Sequence, residues 1–512
     1  MCKRLMFLIS FVALLGLVNV ASADIVWEGD ISTDWCDGEN WAGGSVPGPD
    51  DRAIIPDTDG NDPLIQGPGC SADFGDWEFD TGGGDSAALN IVDAIVRFKE
   101  LRDEGEGGQA IHISGTSNVD CWKDRMRPGD DAAFLLTVSD TAFLHVNGDI
   151  RGGDSGDGNF DFIVTGGTIV TEGEILCGDD GGGTFDFSGG SITCNKNMLI
   201  AARRAPAVGV LQVSGDVEIF VKGFITLGKD CKDNPGSPSM VMTGGTVNTN
   251  QFLVAGHEDF CGDASLDMQG GLLVCRSDLI VDTGDANKAT VTLSGGEIQI
   301  LGDDSLEIGD NGSMDITDGT LILNGDALAE VWGYAMAGKL TGCGGAQGLI
   351  VDYGVTNPGK TTVTATCVFC GCCAWFPQPY DGSTGVGAET CNLVLSWQPG
   401  ERMGGHGRHL VYFSTDADCV ANGDMGSPCY MGFQRATDLD YDVGMLPLWT
   451  TYYWRVDEGN EDGTTCKGAV WSFTTGCEVV PADTNADCLV NFKDFACVAG
   501  TLGEQQMWPQ ND

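Results

Sequence analysis

Short segments in which apolar and polar residues alternate return about every 25 residues through the middle of the chain. Phe185-Asp186-Phe187-Ser188 and Val291-Thr292-Leu293-Ser294 are two of them, and each runs into a glycine-marked bend. The bends are anchored at Gly167, Gly190, Gly215, Gly245, Gly271, Gly296 and Gly319, with fainter copies at Gly115 and Asp140. Two residues after the seven glycines come Ile169, Ile192, Val217, Val247, Leu273, Ile298 and Leu321. A third short segment follows, as in Met198-Leu199-Ile200, Phe224-Ile225-Thr226-Leu227 and Phe252-Leu253-Val254. Three strands with turns between them account for the period, and glycine supplies bends that side chains would obstruct. The pattern predicts an all-β chain whose residues 102–325 form regular coils of a parallel β-helix solenoid, each coil burying its apolar face against its neighbours. Hairpins of a β-sandwich would not keep one aliphatic column in register through so many repeats.

The flanks extend this solenoid to residues 24–365. The segment from Asp24 to Leu101 fits the repeat poorly, and with Trp27, Trp35, Asn40–Gly48 and Ala53-Ile54-Ile55 it reads as an N-terminal cap with irregular first coils, stapled by Cys36 and Cys70. Gly319 to Ala365 reads as the last coil and a closing cap with a short helix over Ala327–Tyr334. This part of the chain resembles the secreted bacterial β-helix proteins, similar in shape to the right-handed pectin-lyase-like and autotransporter-passenger folds.

After a Cys-rich linker, 366–373, the pattern changes to strands separated by turns over residues 374–475. Leu393–Trp397, Leu410–Phe413, Thr451–Val456 and Val470–Phe473 predict a small β-sandwich. With Trp397 and a late Tyr452-x-Trp454-x-Val456 strand, it is similar to fibronectin type III domains. His406, Arg408 and His409 read as members of a solvated glycine-rich loop.

The last segment, 476–512, carries the sharpest motif. Asp483, Asn485, Asp487, Asn491 and Asp494 place side-chain oxygens at positions 1, 3, 5, 9 and 12 of a loop, and the Leu489 carbonyl serves position 7. That ring of oxygens predicts a calcium site followed by a short helix from Phe495 to Leu502. The loop resembles one repeat of a type I dockerin, with Cys488 where EF-hand loops carry glycine, and the resemblance implies docking to a cohesin-like or cell-surface protein.

Composition fixes the compartment. Lys3 and Arg4, the apolar run Leu5–Val18 and Ala21-Ser22-Ala23 read as a secretory signal over residues 1–23. The run is short for a membrane span, so the mature chain is expected to be secreted or held at the cell surface, without membrane insertion. Loss of Lys3 and Arg4 moves the formal charge from −49 to −51, which disfavours nucleic acid and favours divalent cations. Of 21 cysteines only Cys2 leaves with the signal, and an even remainder in an exported chain predicts disulfides. Cys231 and Cys261 each lie sixteen residues after Gly215 and Gly245, which predicts a bridge between adjacent coils. Cys194 and Cys275 share a strand position and read as buried thiols. The cluster Cys367–Cys373 reads as disulfide-forming, with Cys391 and Cys466 among its partners.

Between ten and fourteen residues after the anchors lie turns that hold Arg125, Arg151, Asp179, Arg203, Lys229, His257, Asp285 and Asp310, one per successive coil. Arg127, Arg204 and Lys288 fall in the same turns. One reading is a groove for an acidic polysaccharide, lined by Arg125, Arg151, Arg203, Arg204, Lys229 and His257, with Trp122 stacked on a sugar ring. The other is that charged residues collect in the longest turns beside acids such as Asp120, Asp124 and Asp180 that neutralise them. No acid–base pair is identifiable, and the sequence names no catalytic residue. Three functions stay open. The leading one is a non-enzymatic structural, adhesive or display protein with a β-helix stalk. The others are a polysaccharide lyase or glycoside hydrolase, and a carbohydrate-binding protein without turnover.

Overall fold

The computed structural model describes residues 22–57, 61–81, 86–103, 107–129, 132–153, 158–178, 181–200, 208–228, 236–255, 262–283, 288–303, 305–366, 373–387, 393–400, 403, 405–461 and 463–476. Residues 1–21 of the predicted signal, the predicted calcium loop, Arg203, Arg204, Lys229, His257, Cys231, Cys261, Cys367–Cys372 and Cys391 lie outside them. The chain divides into two compact units, residues 1–314 and 315–512.

The first unit is a parallel β-solenoid with three strands per coil. One stack runs Asp24–Val26, Arg52–Pro56, Asp76–Asp80, Glu100–Asp103, Met126–Arg127, Ile150–Gly152, Ile175–Cys177, Met198–Ile200 and onward to Leu306–Ile308. The N-terminal residues are therefore coils of the same stack, where the sequence suggested a cap with irregular coils. Their repeat is hidden because their interior is aromatic, not aliphatic: Trp27, Trp35, Trp41, Phe74, Trp77 and Phe98 pack ring against ring inside. Buried indoles need partners, and the Trp41 Nε1–H donates to the Trp35 carbonyl at 2.8 Å. The Cys36–Cys70 disulfide staples these coils as the sequence predicts. Further along, Phe134, Phe160, Phe162, Phe185 and Phe187 continue the aromatic interior.

The aliphatic column is real, but two kinds of bend feed it. At the diglycines one strand passes through the bend with a register shift, as in Asn159–Thr171 and Gly182–Cys194. There the column residue is two positions past the anchor, and Ile169 pairs with Ile192. At Gly115, Asp140 and Gly215 a turn intervenes, and the column residue falls four positions past. Leu144 pairs with Ile169, and Ile192 pairs with Ile219. Val217, which the period assigned to the column, is buried beside it. A second stack runs through Ser71–Asp73, Ile95–Phe98, Asn118–Cys121 and Phe143–Val146; Cys194 and Cys275 are buried thiols on it with Cys121, and Cys177 is buried on the first stack.

In the second unit, Thr320–Asn324 and Leu349–Tyr353 both pair antiparallel with Lys360–Ala365, and a helix spans Leu328–Met336. Residues 375–475 form the small sandwich. One sheet orders Trp375–Gln378, Leu393–Gln398 and Asp440–Gly444; the other orders Ser383–Val386, Trp471–Thr475, Thr451–Gly459, Arg408–Ser414 and Tyr430–Arg435. Leu395, Trp397, Val411, Tyr452, Trp454, Val456 and Phe473 fill the space between the sheets.

Candidate functional site

The stacked coils place the described part of the charged column on two different levels. Trp122 and Arg125 lie in the turn before the third strand of their coil, whereas Arg151 lies within that strand. Met126 pairs with Ile150, so the residue level with Arg125 on the next coil is Asp149, not Arg151. The offset arises between the second and third strands: Cys121 pairs with Val146, and Met126 lies five positions past Cys121 where Ile150 lies four past Val146. In the sequence, Cys231 and Cys261 follow the paired residues Leu227 and Val254 by four and seven positions, and both lie outside the described residues.

Arg151 belongs instead to a row that sequence spacing did not show. Arg127 pairs with Arg102, and Met126 with Ile150, so Arg102, Arg127 and Arg151 occupy equivalent positions on three successive coils. Strand spacing sets such positions about 4.8 Å apart. Glu78 precedes them, paired with Arg102. Like charges this close repel unless counter-charges intervene. The Arg127 Nε–H is buried and has no hydrogen-bond partner among the described residues.

On the second stack, Asp73, Arg97, Asp120 and His145 are paired across successive coils. Arg97 lies 3.8 Å from Asp73 and 3.4 Å from Asp120. The Asp120 carboxylate accepts from His145 Nδ1 at 2.7 Å, and His145 Nε2 is 3.9 Å from Glu172. Trp122, the proposed sugar platform, is 38 % exposed, and the Arg97 guanidinium already covers its ring at 5.6 Å. Elsewhere Arg52 is held by Asp24 and Glu78, and Lys99 by Asp50. Arg97 is thus shared between two carboxylates, and the Asp120 carboxylate also accepts from His145, so these side chains engage one another between coils.

A shallow groove crosses the outer face of the remaining stack, formed by Ser86–Val92, Gly108–Ser114 and Ala133–Val138, with Ala88, Gly108, Ala110 and Leu135 on its floor and Asp62 and Asp161 at its sides. Both carboxylates are already engaged, Asp62 accepting from the Ala88 N–H at 2.9 Å and Asp161 from the Thr184 N–H at 3.1 Å. His112 nearby bonds Thr137 Oγ1 through Nδ1 at 2.8 Å, and burial pushes its pKa down, toward the neutral ring.

In the sandwich, His409 is a core residue, contrary to the loop reading. It is fully buried, near Trp397 Nε1 at 3.1 Å and Glu458 at 3.1 Å, while its Nε2–H donates to the Ala436 carbonyl at 3.3 Å. Arg455 is buried too. It makes a two-pronged pair with Asp457 at 2.7 and 2.9 Å, and donates to the Ala421 and Gly423 carbonyls at the end of the helix Ala417–Asn422.

The calcium ligands predicted from the sequence, Asp483, Asn485, Asp487, Leu489, Asn491 and Asp494, lie outside the described residues. Among those described, Asp34, Cys36 and Cys70 form a grouping close enough to share an ion, and there the two sulfurs are joined as a disulfide. No helix among the described residues is long and apolar enough to cross a membrane. No family model matches the chain, and no significant match to a curated protein or a solved structure was found.

Proposed function

We propose that this chain is an exported, non-enzymatic scaffold or display protein. Its solenoid serves as a rigid stalk, and the loop 483–494 is a calcium module that stabilises its end or docks it to a surface partner. The observation that carries the reading is the ladder Asp73–Arg97–Asp120–His145, in which polar side chains on the second stack engage one another between coils. Groups so engaged stiffen the rod and are poor catalysts, because a general base needs its acceptor directed at substrate. Incubation of the purified protein with a panel of polyuronates and neutral glycans, with calcium, is expected to give neither unsaturated products nor new reducing ends. Turnover of any of them refutes the scaffold reading. Calcium titration of the full chain is expected to show one saturable site, lost in Asp483→Ala.

One observation favours a second reading, a glycan-binding stalk without turnover. Arg127 and Arg151 hold equivalent positions on successive coils of a strongly acidic chain, and the buried Arg127 Nε–H has no hydrogen-bond partner among the described residues. A polyuronate would supply carboxylates along such a row. Loss of polyuronate binding in an Arg127→Ala, Arg151→Ala double variant supports this reading; unchanged binding removes it.

A further inference from the structure

The second unit contains a cavity of about 350 Å³ that neither the stalk nor the calcium loop uses. Its walls are mainly aromatic and aliphatic, with Trp332, Trp375, Phe376 and Trp471 as the large surfaces. Trp332 and Phe376 meet edge to face at 5.4 Å. Phe376 holds this position with a φ of 55°, a conformation that a bulky side chain adopts only where its surroundings impose it. Trp332 is 4 % exposed, and its buried Nε1–H has no hydrogen-bond partner among the described residues. Buried indole N–H groups ordinarily find an acceptor, so this wall holds an unmatched donor.

Asp381 supplies the anionic group of the lining. Its Oδ1 accepts from the Ser472 N–H at 2.6 Å and from the Ser472 hydroxyl at 3.0 Å, which fixes the carboxyl in place. Burial raises the Asp381 pKa, and the negative charge of Asp352, on the strand Leu349–Tyr353, adds to the shift. Lys467 is exposed, and its carbonyl accepts from the Cys373 thiol at 3.5 Å. Burial pushes that thiol's pKa up, so it is uncharged at neutral pH. The interior therefore presents carboxylate among aromatic faces. Aromatic faces attract cations, and a concave apolar pocket of this size with a few fixed polar groups is the usual form of a small-molecule site. An apolar cavity of roughly 150 Å³ admits benzene, so there is room here for an aryl or alkyl body carrying an ammonium group.

We propose that this cavity binds a small organic cation, with its ammonium group against Asp381 and its apolar body among Trp332, Trp375, Phe376 and Trp471. An anion of the same shape is rejected by Asp381 and Asp352 together. A neutral analogue keeps the apolar contacts and loses the ion pair.

The test is calorimetric titration of the full chain at pH 7.5 in about 0.15 M salt, which screens general attraction of cations to the acidic surface. The probes are phenethylammonium and benzyltrimethylammonium, with phenylacetate and 2-phenylethanol as controls. Saturable one-to-one binding of the ammonium probes is expected, with no binding of phenylacetate. Asp381→Asn keeps an oxygen for Ser472 and is expected to weaken the ammonium probes at least tenfold. Ala469→Trp, at an exposed lining position, fills the cavity and is expected to abolish binding. It gives the answer even if Asp381→Asn disturbs folding. Absence of saturable ammonium binding to the unmodified chain overturns the proposal, as does equal binding of phenylacetate. Unchanged affinity in folded Asp381→Asn or in Ala469→Trp overturns it as well.

Discussion

His145 Nδ1 lies 2.7 Å from Asp120 Oδ1 one coil away, and the other oxygen of the same carboxylate meets Arg97 Nε at 3.4 Å. The His145 and Asp120 side chains are 28 % and 29 % exposed. Ion pairs this open to solvent are typically worth about 0.2–1 kcal/mol. His145→Ala is therefore expected to lower the stability of the solenoid by less than about 1 kcal/mol, read from the midpoint of guanidinium unfolding. A loss several times larger would mean that the row is integral to the stack, not a surface ladder.

The diglycine bends should be far less forgiving. Gly190 has a φ of 78°, and a Cβ placed there would lie 2.4 Å from the Gly167 carbonyl oxygen on the next coil. Gly190→Ala combines the left-handed penalty of roughly 1–2 kcal/mol with a backbone clash that stacking cannot relieve. Gly43 provides the control, since its φ is 85° with nothing within 4 Å of the added carbon. Gly43→Ala is expected to lose the conformational term alone. Equal destabilisation by the two variants would show that coil-to-coil contact at the bend is not what requires glycine.

These bends also mark how far the sequence could be read. Diglycine spacing made the coils between Gly167 and Gly296 legible, together with their buried column and the thiols of Cys194 and Cys275. Spacing failed where the bend was a turn, as at Gly215, because a period carries no information about how many residues a turn takes up. It failed again before Leu101, where Trp27, Trp35, Trp41 and Trp77 fill the interior in place of the aliphatic residues that signal a repeat. The Arg102–Arg127–Arg151 row depends on strand register, which emerges only once the turns between strands are fixed. Asp381 and Trp332 lie about fifty positions apart and meet around one cavity, a relation that no local pattern encodes.

His409 offers a test of the sandwich core. Its ring and the Glu458 carboxyl are both fully buried, 3.1 Å apart, and burial raises the Glu458 pKa. Removing one member of such a pair leaves the other without its partner, a change that typically destabilises by about 3–5 kcal/mol. His409→Ala is expected to fall in that range or to prevent folding of the sandwich, as followed by near-ultraviolet circular dichroism. The double variant His409→Leu, Glu458→Leu removes both polar groups, and is expected to recover part of the loss. A double variant that is worse than the single one would show that each group has other necessary contacts.

Asp381 gives the second unit a pH dependence of definite sign. Burial, reinforced by Asp352, raises its pKa from 3.8 to about 6 in the folded chain, against the hydrogen bonds from Ser472. The folded state therefore binds this proton more tightly than the unfolded state does. Its contribution to stability is fully present below the ordinary aspartate pKa and is lost as pH rises through about 6. A shift of this size corresponds to something on the order of 3 kcal/mol. Asp381→Asn keeps an acceptor for Ser472 and carries no charge to desolvate, so it removes this slope. The variant is expected to gain stability relative to the unmodified chain between pH 5 and pH 8, measured as the difference in unfolding midpoint at each pH. Glu458 pushes both proteins in the same direction and cancels in that difference. A difference that stays flat across the interval would show that the Asp381 carboxyl is already ionised at pH 5, with the Ser472 bonds outweighing burial. An occupied cavity should reverse the trend: a bound ammonium favours the charged carboxyl, so phenethylammonium is expected to stabilise the unmodified chain more at pH 8 than at pH 5.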